Sequence, residues 1–158
     1  MGIYIVPTTL LLAWLLAAFG VPAPGQTAGA DFLISALHWM FYIPAGWMFI
    51  ASGVMHTVFA KNTAKNIGWK TNGFQYEIGF VSLGLGLAGI LAAYKGSGSW
   101  LELTIVISFF LVLAGVNHVL EILKSRNFNP GNTIILIYDF GLPVSLWILL
   151  YLSGLVKF

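Results

Sequence analysis

The segment from Trp100 to Leu123, WLELTIVISFFLVLAGVNHVLEIL, decides the fold. Its only ionisable groups are Glu102 at the start and His118 and Glu121 at the end, and between them it is almost wholly aliphatic and aromatic. A helix needs about 20 apolar residues to cross a hydrocarbon core of ~30 Å, and this stretch supplies them without interruption. The whole chain has the same character. Of its 158 residues, 59% are hydrophobic and 8% charged, against roughly 25% charged in soluble domains. Mean hydropathy is +0.91. So few ionic groups cannot clothe a water-soluble surface, so the predicted fold class is all-α, an integral membrane helical bundle covered by lipid. A scattered net charge of +2 gives no footprint for nucleic acid. With no cysteine, disulfides, thiolate chemistry and Fe–S clusters are excluded.

Working outward, the apolar pattern predicts five transmembrane helices at about 3–20, 32–60, 74–94, 100–123 and 133–156, a four-helix core plus an N-terminal helix. The whole chain, 1–158, is expected to be a single transmembrane domain, with Lys61 to Gly73 its longest polar connection, read as a loop. The first span has Pro7 in its first turn, where proline is tolerated. Ala28-Gly29-Ala30 would suit cleavage of a signal peptide, but no Lys or Arg precedes the apolar run, which favours a retained helix. Lys61, Lys65, Lys70, Lys124 and Arg126 gather at one side, and Lys95 and Lys157 at the other. The positive-inside rule then predicts a multi-pass cell-membrane protein with its N-terminus cytoplasmic and its C-terminus outside. Asn129-Pro130-Gly131-Asn132 reads as a turn, with Asn132 capping the last helix.

The third span is dense in small residues. Gly79, Ser82, Gly86, Gly89 and Ala93 follow one helical face, and Gly84, Ala88 and Ala92 form a second row. Small rows let helix backbones approach closely in lipid, so the third helix is expected at the centre with neighbours on two sides. Its Gly-Leu-Gly run lacks the preceding strand and the Lys-Ser/Thr of a phosphate-binding loop.

Ionisable residues inside a bilayer cost at least about 2.5–3.5 kcal/mol each at mid-helix, so each needs a partner or a purpose. His56, Glu77, Asn117, His118, Glu121 and Asp139 all fall within roughly 3–10 Å of the lysine-rich interface at about 1.5 Å per residue. His118 and Glu121 share a face of the fourth span, and on the second His38 shares the face of His56, about five turns away. Pro143, four residues after Asp139, frees the Asp139 carbonyl and predicts a kink. His56, Glu77, His118 and Glu121 make a credible nitrogen and oxygen set for a divalent transition metal (Zn, Fe or Mn), with Asn117, Asp139 and Gln75 placed to orient them. The same groups suit a proton or ion relay, or a b-type haem between His56 and His118. They also suit hydrogen bonds that merely pin helices, as in a homo-oligomer or an accessory subunit beside other membrane proteins. Whether the chain is an enzyme is open at this point.

Asn66-Ile-Gly-Trp69, then Phe74-Gln-Tyr-Glu77-Ile-Gly79, followed by Asn117-His118-Val-Leu-Glu121, Asn127-Phe-Asn-Pro-Gly-Asn132, Tyr138-Asp139 and Pro143, resemble a signature of small bacterial and archaeal integral membrane proteins of unknown function. The resemblance spans roughly residues 46 to 150 and implies a multi-span membrane fold without an assigned activity.

Overall fold

In a computed structural model, which describes residues 2–157, six helices run in the order α1 (Ile5–Ala18), α2 (Phe32–Thr57), α3 (Ala60–Ile67), α4 (Gly73–Lys95), α5 (Trp100–Ser125) and α6 (Pro130–Leu152). No strand occurs among the described residues. Helices α2, α4, α5 and α6 are long and apolar enough to cross a membrane. Helix α1 is apolar but shorter, about 21 Å at about 1.5 Å per residue, below the ~30 Å of a bilayer core. The belt of exposed Phe80, Leu87, Phe109, Leu113 and Ile137 is what a lipid-facing bundle presents.

Local chemistry sets the helix ends. Asp31 caps α2, its Oδ1 accepting from the Ile34 N–H at 2.9 Å. Asn72 caps α4 through the Gln75 N–H. Gly68, at φ +87°, ends α3 in the left-handed region that glycine adopts without strain. The expected loop after α2 is helical over Ala60–Ile67, because Ala60, Thr63, Ala64 and Ile67 form a buried stripe while Lys61 and Lys65 stay exposed.

Helix α2 is not regular. Pro44 has no N–H to give to the preceding turn, and residues Ile43–Met48 widen into a π-helical turn. The uninterrupted 3.6-residue phase from His38 to His56 is therefore lost. His38 instead donates from Nδ1 to the Ala93 carbonyl at 2.6 Å and stands edge-on to Trp100.

Helix α4 lies against α2 through its first small row. A Cβ on Gly86 would come within 2.7 Å of Ile50 N and 2.8 Å of the Gly46 carbonyl, and one on Gly89 would strike the Ala45 carbonyl. The second row behaves differently, since a Cβ on Gly84 would meet nothing within 4 Å. The central helix is accordingly α2, not α4: 61% of its apolar window is buried, against 39% for α4 and α6 and 28% for α5. It is flanked by α1, α4 and α6, while α5 packs on α6. Phe41, Phe49, Ile107, Leu142 and Leu146 are all but inaccessible and fill the middle of the bundle.

The two rows predict opposite outcomes. Gly86→Leu should destabilise the protein by about 1–3 kcal/mol or more through overpacking, whereas Gly84→Ala should stay within about 0.5 kcal/mol of the parent. Thermal unfolding in detergent, followed by circular dichroism, would measure both.

Candidate functional site at the basic end

The polar groups at the lysine-rich end are organised by two loops. The last turn of α3 and the first turn of α6 are pressed together: a Cβ on Gly131 would lie 2.6 Å from the Asn66 carbonyl. Asn127, leaving α5, donates from Nδ2 to the Ile67 carbonyl at 2.9 Å. Its Oδ1 accepts from the Asn129 side chain at 2.7 Å.

Asn132 is the centre of this clasp. It is fully buried and does not cap α6; instead its Nδ2 donates to the His118 carbonyl at 3.1 Å and the Asn127 carbonyl at 2.9 Å. Those two acceptors fix the amide so that Oδ1 faces the imidazole of His118, 2.7 Å from Nδ1. An amide oxygen only accepts, so Nδ1 carries the hydrogen. In the neutral ring Nε2 then bears the lone pair. The sequence thus selects the tautomer of a buried histidine through an asparagine fourteen residues away.

Trp69 covers this ring. The indole and imidazole stack with centroids 5.1 Å apart and planes 15° from parallel, and the indole Nε1 is buried without a hydrogen-bond partner. His56, near the end of α2, is half-buried and lies close enough to His118 to interact with it electrostatically. Its Nδ1 is also buried and unpartnered. Gly79 makes room for it, since a Cβ there would be 3.2 Å from the His56 Cβ.

Deeper in the bundle, Asp139 is buried, with 2% of its surface exposed, and its Oδ2 has no partner. It packs opposite Gly115, where a Cβ would lie 3.1 Å from the Asp139 Cβ, one turn along α5 from His118. Its neighbour Tyr138 donates to the Pro44 carbonyl at 2.7 Å, anchoring this part of α6 to the π turn of α2. An isolated carboxylate anion in such a place is costly, so the group calls for a proton or a cation.

The other candidates are dispersed. Glu77 and Asn117 are exposed on their helices. Glu121 is half-buried and interacts electrostatically with His118. Gln75 ties α4 to the start of α3, donating to the Ala60 carbonyl at 2.7 Å. Among the described residues, no three His, Cys, Asp or Glu side chains are grouped as the ligands of one ion would be. Sequence reasoning missed Trp69, Asn127 and Asn132 as parts of the site. The available signal was three asparagines within residues 127–132 of a chain otherwise poor in polar groups.

Residues 4–156 match a family described as a family of unknown function, DUF6790, and the chain belongs to that family. No curated protein and no solved structure matches it.

Replacing Asn132 by Ala would leave the His118 Nδ1–H and the Asn127 carbonyl without their partner and remove a second bond to the His118 carbonyl. A loss of about 3 kcal/mol in stability is expected. Faster amide exchange should appear at Ile67 to Trp69 and at Asn127, while the far ends of α4 and α5 keep their protection. In the parent protein, 15N chemical shifts of His118 should report the Nδ1–H tautomer.

Proposed function

For this member of a family without a known function, we propose that the basic end of the bundle is a membrane-embedded proton-exchange site formed by His118, His56 and Asp139, serving as a proton relay or as the proton-coupled step of a transporter. The observation that carries this reading is the buried Asp139 carboxyl with an unpartnered oxygen, packed against Gly115 one turn of α5 from His118, at an end of the bundle where two histidines each keep an imidazole nitrogen available.

The chemistry starts at His118. Its Nε2 lone pair accepts a proton, and the resulting imidazolium keeps its Nδ1–H bond to Asn132 Oδ1. The Trp69 face, within the ~6 Å reach of a cation–π contact, favours the charged ring. His56 disfavours a second charge nearby. Asp139, one turn deeper, takes the proton through a water or a side-chain rotation and becomes a neutral acid suited to the apolar interior. Beyond it the inaccessible Phe41, Phe49, Leu142 and Leu146 leave the relay open to the basic end only.

Infrared difference spectra across a pH titration test this directly. A carboxylic C=O band that disappears in Asp139→Asn, and whose response changes in His118→Gln, is expected. A spectrum with no such band across the range would overturn the relay. Tryptophan emission should also change with pH through Trp69, and lose that change in His118→Gln.

A second reading has its own support. A histidine held by a partner on Nδ1 with Nε2 directed away is how metal-ligating imidazoles are commonly oriented. In that reading His118 and His56 donate nitrogens to a divalent transition metal (Zn, Fe or Mn), Asp139 or Glu121 supplies an oxygen after a modest side-chain rotation, and Glu77 supplies charge from the surface. Elemental analysis of protein purified without chelator should then find about one metal per chain. His118→Ala should lose it, and metal-free protein in both cases would sink this alternative.

A further inference from the structure

At the opposite end of the bundle, α4 and α5 are joined by the short turn Gly96–Ser99 and then part. Between them lies a groove of about 360 Å³, walled by Ala88 and Leu91 on one side and Leu103 and Val106 on the other. Ala88 continues the small row of Gly84, where an added Cβ would meet nothing within 4 Å. At Gly84 the row is open, while Ala88 is half-buried and Ala92 is packed into the core.

The mouth of this groove is polar. Lys95, the last residue of α4, and Glu102, in the first turn of α5, both line it. Each sits where its own helix dipole favours its charge. That accounts for the signs but not for the apolar trough beneath them. Ser99 lines the same mouth, and its hydroxyl is buried with no hydrogen-bond partner. An exposed cation and an exposed anion above an apolar channel complement one kind of molecule: a zwitterionic lipid with its chain down.

We propose that this groove is a specific site for a phospholipid with a hydrogen-bonding ammonium headgroup, a phosphatidylethanolamine. Its phosphate meets Lys95, its ammonium donates to the Glu102 carboxylate, and one acyl chain lies along Ala88, Leu91, Leu103 and Val106. Glu102 favours a primary ammonium because N–H donors form charge-assisted hydrogen bonds with a carboxylate, whereas a trimethylammonium has none to offer. A uniformly anionic lipid would leave Glu102 facing like charge.

The test is native mass spectrometry of the delipidated full chain with equimolar phosphatidylethanolamine, phosphatidylcholine and phosphatidylglycerol of identical acyl chains. One phosphatidylethanolamine per chain should be retained, about tenfold in preference to either competitor, as expected for one charge-assisted hydrogen bond. Glu102→Gln should erase the preference over phosphatidylcholine, and Lys95→Gln should weaken all three lipids. Both side chains are exposed, so both variants should fold. Ala88→Phe, which fills the trough, should abolish retention, with unchanged circular dichroism showing that the bundle persists. Equal retention of the three lipids, a preference unaffected by Glu102→Gln, or a lipid-free dimer whose cross-links run through the groove would each overturn the proposal.

Discussion

The structure depends on how closely α2 and α4 approach. At Gly89 the α4 backbone rests on the Ala45 carbonyl, and at Gly86 on Ile50 and Gly46. Lipid tails give no hydrophobic reward for bringing two apolar helices together, so association rests on dispersion between surfaces that fit. Glycine supplies the fit by removing the side chain that would hold the backbones apart. The π turn of α2 lies on this seam, with Pro44 exposing its carbonyl to Tyr138 of α6. One irregularity thus presents a backbone groove to α4 on one side and a hydrogen-bond acceptor to α6 on the other.

The basic end solves a different problem. Two loops must be held against each other without a hydrophobic core of their own, and the chain uses amides. Asn127 satisfies the Ile67 carbonyl at the end of α3, and Asn132 satisfies the Asn127 carbonyl just past α5 while adding a bond to the His118 carbonyl inside that helix. The geometry that satisfies these carbonyls also fixes the His118 ring. Rigidity of the loops and orientation of the imidazole are therefore one property, and a substitution that loosens the first disturbs the second.

Much of this was legible in the sequence. The apolar runs gave the all-helical membrane bundle, the resemblance pointed to a family of unknown function, and the Gly79-Gly86-Gly89 row marked a close helix contact. What was not legible has physical causes. Periodicity assumes a constant turn, and Pro44 removed that constancy, so the shared face of His38 and His56 did not survive. Small residues announce that a neighbour can come close, not that a helix will, and Gly84 faces open space although Ala92 of the same row is buried. Asn132 has the composition of a helix cap, but a buried imidazole fourteen residues earlier competes for it. Glu77 is placed by depth near the histidines, yet depth fixes only one of the coordinates of a side chain, and its azimuth on α4 turns it outward.

The block of Phe41, Phe49, Ile107, Leu142 and Leu146 across the middle of the bundle has a consequence for traffic through the molecule. For the proposed relay it would make the interior a cul-de-sac rather than a corridor. In the proposed relay, a proton that reached Asp139 from the Trp69 side would leave the same way, unless those large side chains swung aside together. Vectorial work by such a relay would require α6 to move against α2, two helices that the Tyr138–Pro44 hydrogen bond ties together.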